Sequence, residues 1–319
     1  MFRSILLGLF SLVCVCAPFS GASAEIYPNI DEPTRFHIAV PKGHLKDLLR
    51  WSPSRVPMVS PHRGGPMPGY PENALETLEN ATKYGPAILE VDVATLQDGT
   101  IVLMHDYTLD RTTTGTGQLH DTTWQTAKSL NLRDKSGKVT PFRIPRLSDA
   151  LMWAKGRAIL NLDIKRGTDF SLVMDLVRKT DTLDHVMAIT YSVKQAVTFN
   201  RIAPQMMLSV RIRSTSELQT VKNAGIPLNR VVAWAGRRLL DPAVYRMLHN
   251  NGIMVMQGTL GFDDTSLDHQ IMLSGNDSQY LAIVGRGADI IATDRHWAAQ
   301  KAIRFPALVY FLRGKARSN

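Results

Sequence analysis

Five side chains suited to phosphate-ester hydrolysis lie in the first third of this chain: His62, Arg63, Glu90, Asp92 and His105. An imidazole titrates near neutral pH, so two histidines can take a proton from one oxygen and give a proton to another. A guanidinium presents a planar fork that matches two phosphate oxygens. Neighbouring carboxylates can hold a divalent cation. Together these groups would suffice to hydrolyse a phosphodiester with the help of a bound metal ion.

Strand periodicity predicts that the acidic residues project from two strands into one space. Glu90 and Asp92 are two residues apart, so in an extended strand they share a face about 6.6 Å apart. Asn161, Asp163 and Lys165 share a face of another predicted strand in the same way. The alternative is an antiparallel sheet whose charged face meets water, where alternation means only half-burial. Two such strands, beside a His-Arg pair at the end of a third, favour a barrel interior.

Buried carboxylates need a compensating positive charge. A cation held by Glu90, Asp92 and Asp163 would supply it, with help from Lys165 and Arg63. A site made only of oxygen ligands suits Ca²⁺ or Mg²⁺ rather than zinc, and the choice between the two ions stays open. Arg63 and Lys165 are also the predicted phosphate-binding residues, as a fork and as a point charge.

The surrounding pattern alternates short apolar runs with helix-like segments, which predicts an α/β fold. Eight runs are predicted to be buried strands: 57–62, 87–94, 158–165, 185–191, 206–212, 230–235, 253–260 and 288–293. Five segments are predicted to be helices: 72–84, 147–155, 170–179, 216–224 and 242–251. Asn73 and Asp241 are the expected N-caps of two of them. Eight β-then-α units are best satisfied by a closed (β/α)₈ TIM barrel.

One break in the alternation predicts a small insertion after the second strand. A turn at Asp98-Gly99 leads to a further apolar run, 101–104, and then to about forty residues without a barrel strand, 106–146. A connection this long in a compact domain usually carries function.

Four motifs resemble those of the glycerophosphodiester phosphodiesterase family: Pro61-His62-Arg63-Gly64-Gly65, Pro71-Glu72-Asn73, Leu89-Glu90-Val91-Asp92 and Met104-His105-Asp106. The resemblance implies a phosphatidylinositol-phospholipase-like TIM barrel with a small lobe over its mouth. It also implies that His62 and His105 serve as general base and general acid, in an order that the sequence leaves open. Glu90, Asp92 and a later acid, here Asp163, are implied as metal ligands.

The chain departs from the family pattern at two places. Asp163 stands where the family usually has glutamate, and its side chain is shorter by about 1.5 Å, so it is expected to ligate through water or to draw the ion toward its strand. Strand seven reads Met256–Gly261 in place of a tryptophan-containing run. Trp234 and Gln257 are predicted to line the alcohol pocket instead, although Trp234 is equally compatible with plain core.

Further residues have open roles. Asp294, in a Thr-Asp-Arg sequence at the last predicted strand, is either a structural cap or a substrate contact. Arg211 and Arg213 at the end of strand five either bind anions or face solvent.

Residues 1–24 have the pattern of an export signal, because Arg3 precedes an apolar run and Ala22-Ser23-Ala24 forms a small-x-small cleavage site. Cleavage after Ala24 would remove both cysteines and reduce the net charge from +9 to +8, which excludes cysteine hydrolases and thiolate zinc sites. A periplasmic or secreted bacterial location follows as an expectation. Residues 25–56 then form an N-terminal extension, 57–305 the barrel and 306–319 a C-terminal tail.

These observations predict a metal-dependent hydrolase that splits deacylated phospholipid esters into glycerol 3-phosphate and an alcohol. Two alternatives use the same barrel: a lyase-type phospholipase that releases a cyclic phosphate, and a non-catalytic phosphoester-binding protein. The expected partner is a small-molecule diester. No basic stripe with interleaved aromatic residues indicates nucleic acid, and no amphipathic helix indicates stable membrane insertion. The sequence leaves the alcohol, the direct or cyclic route and the oligomeric state open.

Overall fold

The protein is a (β/α)₈ barrel in a computed structural model that describes residues 36–261 and 263–303. The strands are β1 Met58–Pro61, β2 Ile88–Thr95, β3 Ile101–Leu103, β4 Asn131–Arg133, β5 Val139–Arg143, β6 Ile159–Ile164, β7 Val186–Thr190, β8 Met207–Arg211, β9 Val231–Trp234, β10 Met254–Gly258 and β11 Ile290–Thr293. Eight of them run parallel in the order β1-β11-β10-β9-β8-β7-β6-β2. A parallel bridge between Val59 and Ala87 joins the two ends of this sheet and closes the barrel. The predicted fold class is confirmed, and all eight predicted strands are present.

Except for α1, which precedes β1, the helices lie between strands along the chain. Their bounds are α1 Leu45–Leu48, α2 Leu75–Ala81, α3 Trp124–Ala127, α4 Leu147–Ala154, α5 Phe170–Thr180, α6 Val193–Ile202, α7 Thr215–Asn223, α8 Pro242–Asn250, α9 Leu267–Ser274 and α10 Gln279–Arg286. Asp241 caps α8 as predicted, by accepting a hydrogen bond from the backbone N–H of Ala243. The predicted cap at Asn73 is wrong. Ala74 occupies the N-cap position of α2, and Asn73 has a left-handed backbone with φ 61°.

Alternating residues fill the barrel interior in two layers. The lower layer is apolar and takes one buried side chain from each barrel strand: Met58, Ile88, Ile159, Met187, Met207, Val232, Met254 and Ile290. The next layer surrounds a cavity: Ser60, Glu90, Asn161, Ile189, Ser209, Trp234, Met256 and Ala292. The packed lower layer blocks the barrel, so the cavity opens only at the C-terminal ends of the strands.

The insertion follows the second strand, as predicted. β3 pairs antiparallel with β2, and β4 pairs antiparallel with β5. Leu109, Leu119 and Leu132 belong to a separate apolar cluster that holds this lobe together. The backbone N–H of Gly69 donates to Asp134 in the lobe at 2.9 Å, which fixes the lobe against the barrel mouth.

The segment before β1 covers the opposite end of the barrel. Leu45 and Leu49 pack into the apolar lower layer, and Trp51 stacks on His249 with ring centroids 4.5 Å apart. The predicted export signal and the tail 306–319 lie outside the described residues. Within 36–261 and 263–303, no helix has both the length and the hydropathy to cross a bilayer.

Candidate active site

Three carboxylates meet at the barrel mouth. β2 and β6 run parallel in a register that places Glu90 beside Asn161 and Asp92 beside Asp163. Glu90, Asp92 and Asp163 are all buried, and each offers an oxygen within 4.8 Å of the others. The strand alternation read from the sequence therefore brings the predicted ligands together.

The electrostatics of this group fit a divalent cation. Lys165 contacts Asp92 at 2.7 Å and Asp163 at 2.6 Å, so one amine is shared by two of the three carboxylates. Burial and the charge of Asp92 raise the pKa of Glu90. The backbone N–H of Arg63 donates to Glu90 at 2.6 Å. A hard cation would offset the remaining negative charge, and the all-oxygen donor set suits Ca²⁺ or Mg²⁺.

Asp163, the shortened third acid, is held from two sides. Its Oδ2 accepts from Lys165, and its Oδ1 accepts from the hydroxyl of Tyr191 at 2.7 Å. Each oxygen keeps a second lone pair for a cation. Asn73 supports Asp92 in a similar way, because its amide donates to Asp92 Oδ2 at 2.7 Å and accepts from the Asp92 N–H at 2.9 Å.

His62 is paired with Asp294 from the last barrel strand. Its Nδ1 lies 2.8 Å from the carboxylate, so Nδ1 carries the proton and donates. Burial lowers the pKa of His62, but the Asp294 hydrogen bond and the charges of Glu90 and Asp294 outweigh it and raise the pKa to about 9. Asp294 also accepts from the N–H of Gly261 at 2.8 Å. Asp294 therefore contacts a predicted catalytic histidine, a role the sequence left open.

His105 forms a second histidine–aspartate pair. Its Nδ1 lies 2.7 Å from Asp106, and its Nε2 lies 2.8 Å from Nη2 of Arg63. A guanidinium can only donate, so Nε2 presents its lone pair and Nδ1 carries the proton. Arg111 contacts both oxygens of Asp106 and holds its pKa down at about 2. Both predicted catalytic histidines thus use Nδ1 to hold an aspartate, and His105 presents the lone pair of its Nε2 to Arg63.

Arg63 links the two halves of the site. Its Nη1 donates to both oxygens of Glu72 at 3.1 Å, and Glu72 also accepts from Arg111. Part of the predicted phosphate fork is therefore engaged within the protein, while the buried Nε has no partner. Arg63 also adopts a left-handed backbone, φ 51° and ψ 35°. Such a conformation costs roughly 1–3 kcal/mol in a non-glycine residue and is characteristic of functional sites.

A second group of possible ligands, Glu72, His105 and Asp106, lies nearby. Two guanidiniums, those of Arg63 and Arg111, already neutralise its two carboxylates. No excess negative charge remains there to attract a cation. The electrostatics favour the first carboxylate group as the metal site.

The barrel cavity has a volume of about 350 Å³ and mixed walls. Trp234 is among the side chains that line it. Gly258 makes room for that ring, because an added Cβ would lie 2.5 Å from Trp234 Cη2. Ser60 Oγ and Asn161 Oδ1 are buried there without hydrogen-bond partners, which suits a ligand with hydroxyl groups.

The prediction that Gln257 lines this cavity is wrong. The inward positions of β10 belong to Met254 and Met256, so Gln257 points to the outer layer. There its oxygen accepts from Tyr245 and its nitrogen donates to the backbone carbonyl of Gly236. The polar atoms of Gln257 therefore form hydrogen bonds within the fold and do not face the cavity.

Arg211, the last residue of β8, and Arg213, two residues later, are distinguished by their positions. Arg211 lines the barrel cavity and pairs with Glu217. Arg213 is exposed and pairs with the same Glu217. Of the two, Arg211 is the one placed to contact a bound anion.

Sequence reasoning missed Tyr191 and Arg111 and assigned Asn73 a different role. Their contacts join residues that are far apart in the sequence, by 19 positions for Asn73, 28 for Tyr191 and 39 for Arg111. No local pattern marks such pairs. For Arg111, the local signal is the Arg111-Thr112-Thr113 sequence near the start of the insertion.

Comparison with known proteins agrees with this geometry. The model of the glycerophosphoryl diester phosphodiesterase family matches residues 62–254. A crystal structure of a glycerophosphoryl diester phosphodiesterase from Parabacteroides distasonis is 32% identical with a TM-score of 0.78, and the match covers 85% of this chain and 94% of that one. A phosphodiesterase from Oleispira antarctica, solved with the product sn-glycerol-3-phosphate, is 20% identical with a TM-score of 0.59 and shares the fold.

Curated relatives match over shorter spans. Glycerophosphodiester phosphodiesterase 1 of Mus musculus is 41% identical over 158 residues, which is 46% of this chain and 46% of that protein. The protein of the same name in Bos taurus is 49% identical over 92 residues, 29% of this chain and 27% of its own length. The chain thus spans less than half of either relative. Because the family model covers more than half of the chain, this protein belongs to the glycerophosphoryl diester phosphodiesterase family.

Proposed function

We propose that this protein hydrolyses glycerophosphodiesters to glycerol 3-phosphate and an alcohol, with a divalent cation and two histidines. One observation carries the proposal: two histidine–aspartate pairs lie beside a buried group of three carboxylates, and Arg63 bridges His105 and Glu90. The product-bound relative from Oleispira antarctica, which has the same fold, supports glycerol 3-phosphate as one product.

The hydrogen bonds support one order of the two histidine roles. His105 presents a lone pair at Nε2 while Asp106 fixes its other nitrogen, so it is suited to accept the proton of the attacking oxygen. His62 is suited to donate a proton to the leaving alkoxide, because Asp294 stabilises its imidazolium form. Arg63 currently donates to His105, and turning its Nη2 toward a phosphate oxygen would free the base.

Glu90, Asp92 and Asp163 would hold the cation. When bound, a divalent cation would neutralise charge on the phosphate oxygens in the transition state. Lys165 and Arg63 would add positive charge at the same phosphate. The closed lower layer of the barrel keeps bulk water from entering the cavity from below.

The test is release of glycerol 3-phosphate from glycerophosphoglycerol and glycerophosphocholine, first in EDTA and then with Ca²⁺ or Mg²⁺ restored. We expect release that EDTA stops and one ion restores. His62→Ala and His105→Ala should each lose activity by a factor of about 10²–10⁴. His120→Ala is the matched control, because that histidine is exposed on the insertion with 70% of its side chain accessible.

Other outcomes would identify the alternative functions. A persistent five-membered cyclic phosphate in the phosphorus NMR spectrum would indicate a lyase. Saturable binding of the diester without turnover under both ions would indicate a binding protein. Near-wild-type rates in either histidine variant would refute the mechanism.

We further propose that the protein is exported. The pattern of residues 1–24 supports this, and the absence of cysteine after residue 24 suits an oxidising compartment. N-terminal sequencing of protein expressed from the full gene in a Gram-negative host should begin at Glu25. An intact Met1 would contradict export by cleavage.

A further inference from the structure

A groove of about 740 Å³ lies between the insertion and the barrel mouth, separate from the barrel cavity. His62 lines both spaces, whereas its partner Asp294 lines only the groove. A diester whose phosphorus lies at His62 would therefore have one arm in each. The smaller barrel cavity, with the unpartnered Ser60 and Asn161, suits the glycerol arm, which leaves the groove for the second alcohol.

The carboxylates of the groove are already satisfied within the protein. Asp134 accepts four hydrogen bonds, from Gly69 N, Ser136 N, Ser136 Oγ and Lys138 N, at 2.6 to 3.0 Å. Glu72 is held by two arginines, and Asp294 by His62 and Gly261. Each carboxylate among the described residues that line the groove thus already accepts hydrogen bonds from within the protein.

Two cationic side chains, those of Arg133 and Lys135, line the outer wall of the groove. Arg133 donates only to backbone carbonyls, those of Thr113 at 2.8 Å and Gly137 at 3.1 Å, and among the described residues it contacts no carboxylate. Lys135 is exposed on the next turn, and its charge helps to lower the pKa of Asp294. These two side chains give the outer wall of the groove a positive potential.

Among the described residues of the groove, the usual features of a quaternary-ammonium site are missing. Such ligands are bound by several aromatic faces. Trp297 is the only Phe, Tyr or Trp among the described residues that line this groove, and it is buried with 4% exposure.

We propose that this groove binds the alcohol arm of the substrate and selects against positively charged alcohols, with alcohols that carry an anionic group bound best. The proposal rests on the glycerophosphodiesterase function proposed above and adds the substrate class. The specificity-determining residues are Arg133 and Lys135 of the insertion.

The test uses three diesters that share the glycerophosphate half and differ in the charge of the second arm. These are glycerophosphoglycerol, its terminally phosphorylated form and glycerophosphocholine. We expect kcat/KM to rank anionic above neutral above cationic at low ionic strength, and the spread to shrink in 0.5 M salt because ions screen exposed charges. Arg133→Gln should reduce the anionic-to-cationic ratio about two- to fivefold, mainly through KM.

Arg143→Gln is the matched control. Arg143 lies on the same β4–β5 hairpin and also donates to a backbone carbonyl, that of Ser129, but it does not line the groove. The anionic-to-cationic ratio of Arg143→Gln should stay as in wild type. If Arg133→Gln fails to fold, Lys135→Gln is the substitute variant and should reduce the ratio about two- to fivefold. Equal or better turnover of the choline ester, or equal ratios in Arg133→Gln, Lys135→Gln and wild type, would overturn the proposal. No turnover of any of the three diesters would instead overturn the proposed function, and this proposal with it.

Discussion

Replacing Asp294 by asparagine removes one charge while nearly preserving the shape of the side chain. Asp294 accepts from His62 Nδ1 and from Gly261 N, each at 2.8 Å. Asparagine has a single acceptor oxygen, so one of these donors loses its partner. If the amide oxygen stays on Gly261, the amide nitrogen faces His62 and favours the tautomer with the proton on Nε2.

The size of the effect follows from the pKa of His62. That pKa stands at about 9 instead of 6.5, which corresponds to about 3 kcal/mol at ~1.4 kcal/mol per pH unit, shared between Asp294 and Glu90. A hydrogen bond to a charged group contributes about 1.5–3 kcal/mol. We therefore expect Asp294→Asn to lower the pKa of His62 by about one to two pH units.

The sign of the stability change is fixed by linkage. A group whose folded-state pKa is raised stabilises the fold fully below its unfolded value and loses that contribution as pH rises through the folded value. The variant should be less stable than wild type by about 1.5–3 kcal/mol below pH 6.5. This difference should shrink as pH approaches about 9.

The assay is an NMR titration of the His62 imidazole in EDTA, together with urea unfolding at low and high pH. Under the assignment of His62 as the proton donor, the loss of activity at alkaline pH should also move to lower pH in Asp294→Asn. Asp175→Asn is the control, because this exposed aspartate pairs only with Arg178 on α5. An unchanged His62 titration in Asp294→Asn would refute the reasoning.

Three further predictions concern the cation group and the cavity wall. Lys165→Met leaves the two aspartates that the amine contacts without a counter-charge, so the metal-free protein should lose about 3–5 kcal/mol of stability and regain part of it with Ca²⁺ or Mg²⁺ in thermal melts. Tyr191→Phe removes the hydroxyl that holds Asp163, and calorimetry should show cation affinity weakened about five- to tenfold, as expected for one lost hydrogen bond; unchanged affinity would exclude this role. Gly258→Ala forces a Cβ against Trp234 and should cost about 1–3 kcal/mol in urea unfolding, whereas an unchanged midpoint would show that the ring moves freely.

The sequence by itself determined which charged residues share one face of their strands. Glu90 and Asp92, and Asn161 and Asp163, are spaced two apart between apolar neighbours, so extended geometry alone places each pair on one face. Eight apolar runs with intervening helical segments were also enough to predict the barrel fold, because a parallel sheet with helices on its outer face requires that alternation. These features depend on local periodicity, which a single sequence displays directly.

The partners across the barrel depended on the tertiary structure. His62 and Asp294 are 232 positions apart, and only closure of the barrel brings the last strand beside the first. The prediction for Gln257 was wrong because Met254, Val255 and Met256 make both faces of β10 apolar before Gln257, so the sequence does not indicate which residues point inward. The register with the neighbouring strands decided that Met256 faces the cavity. Local spacing thus determined which side chains share a face, whereas closure and register determined which of them meet.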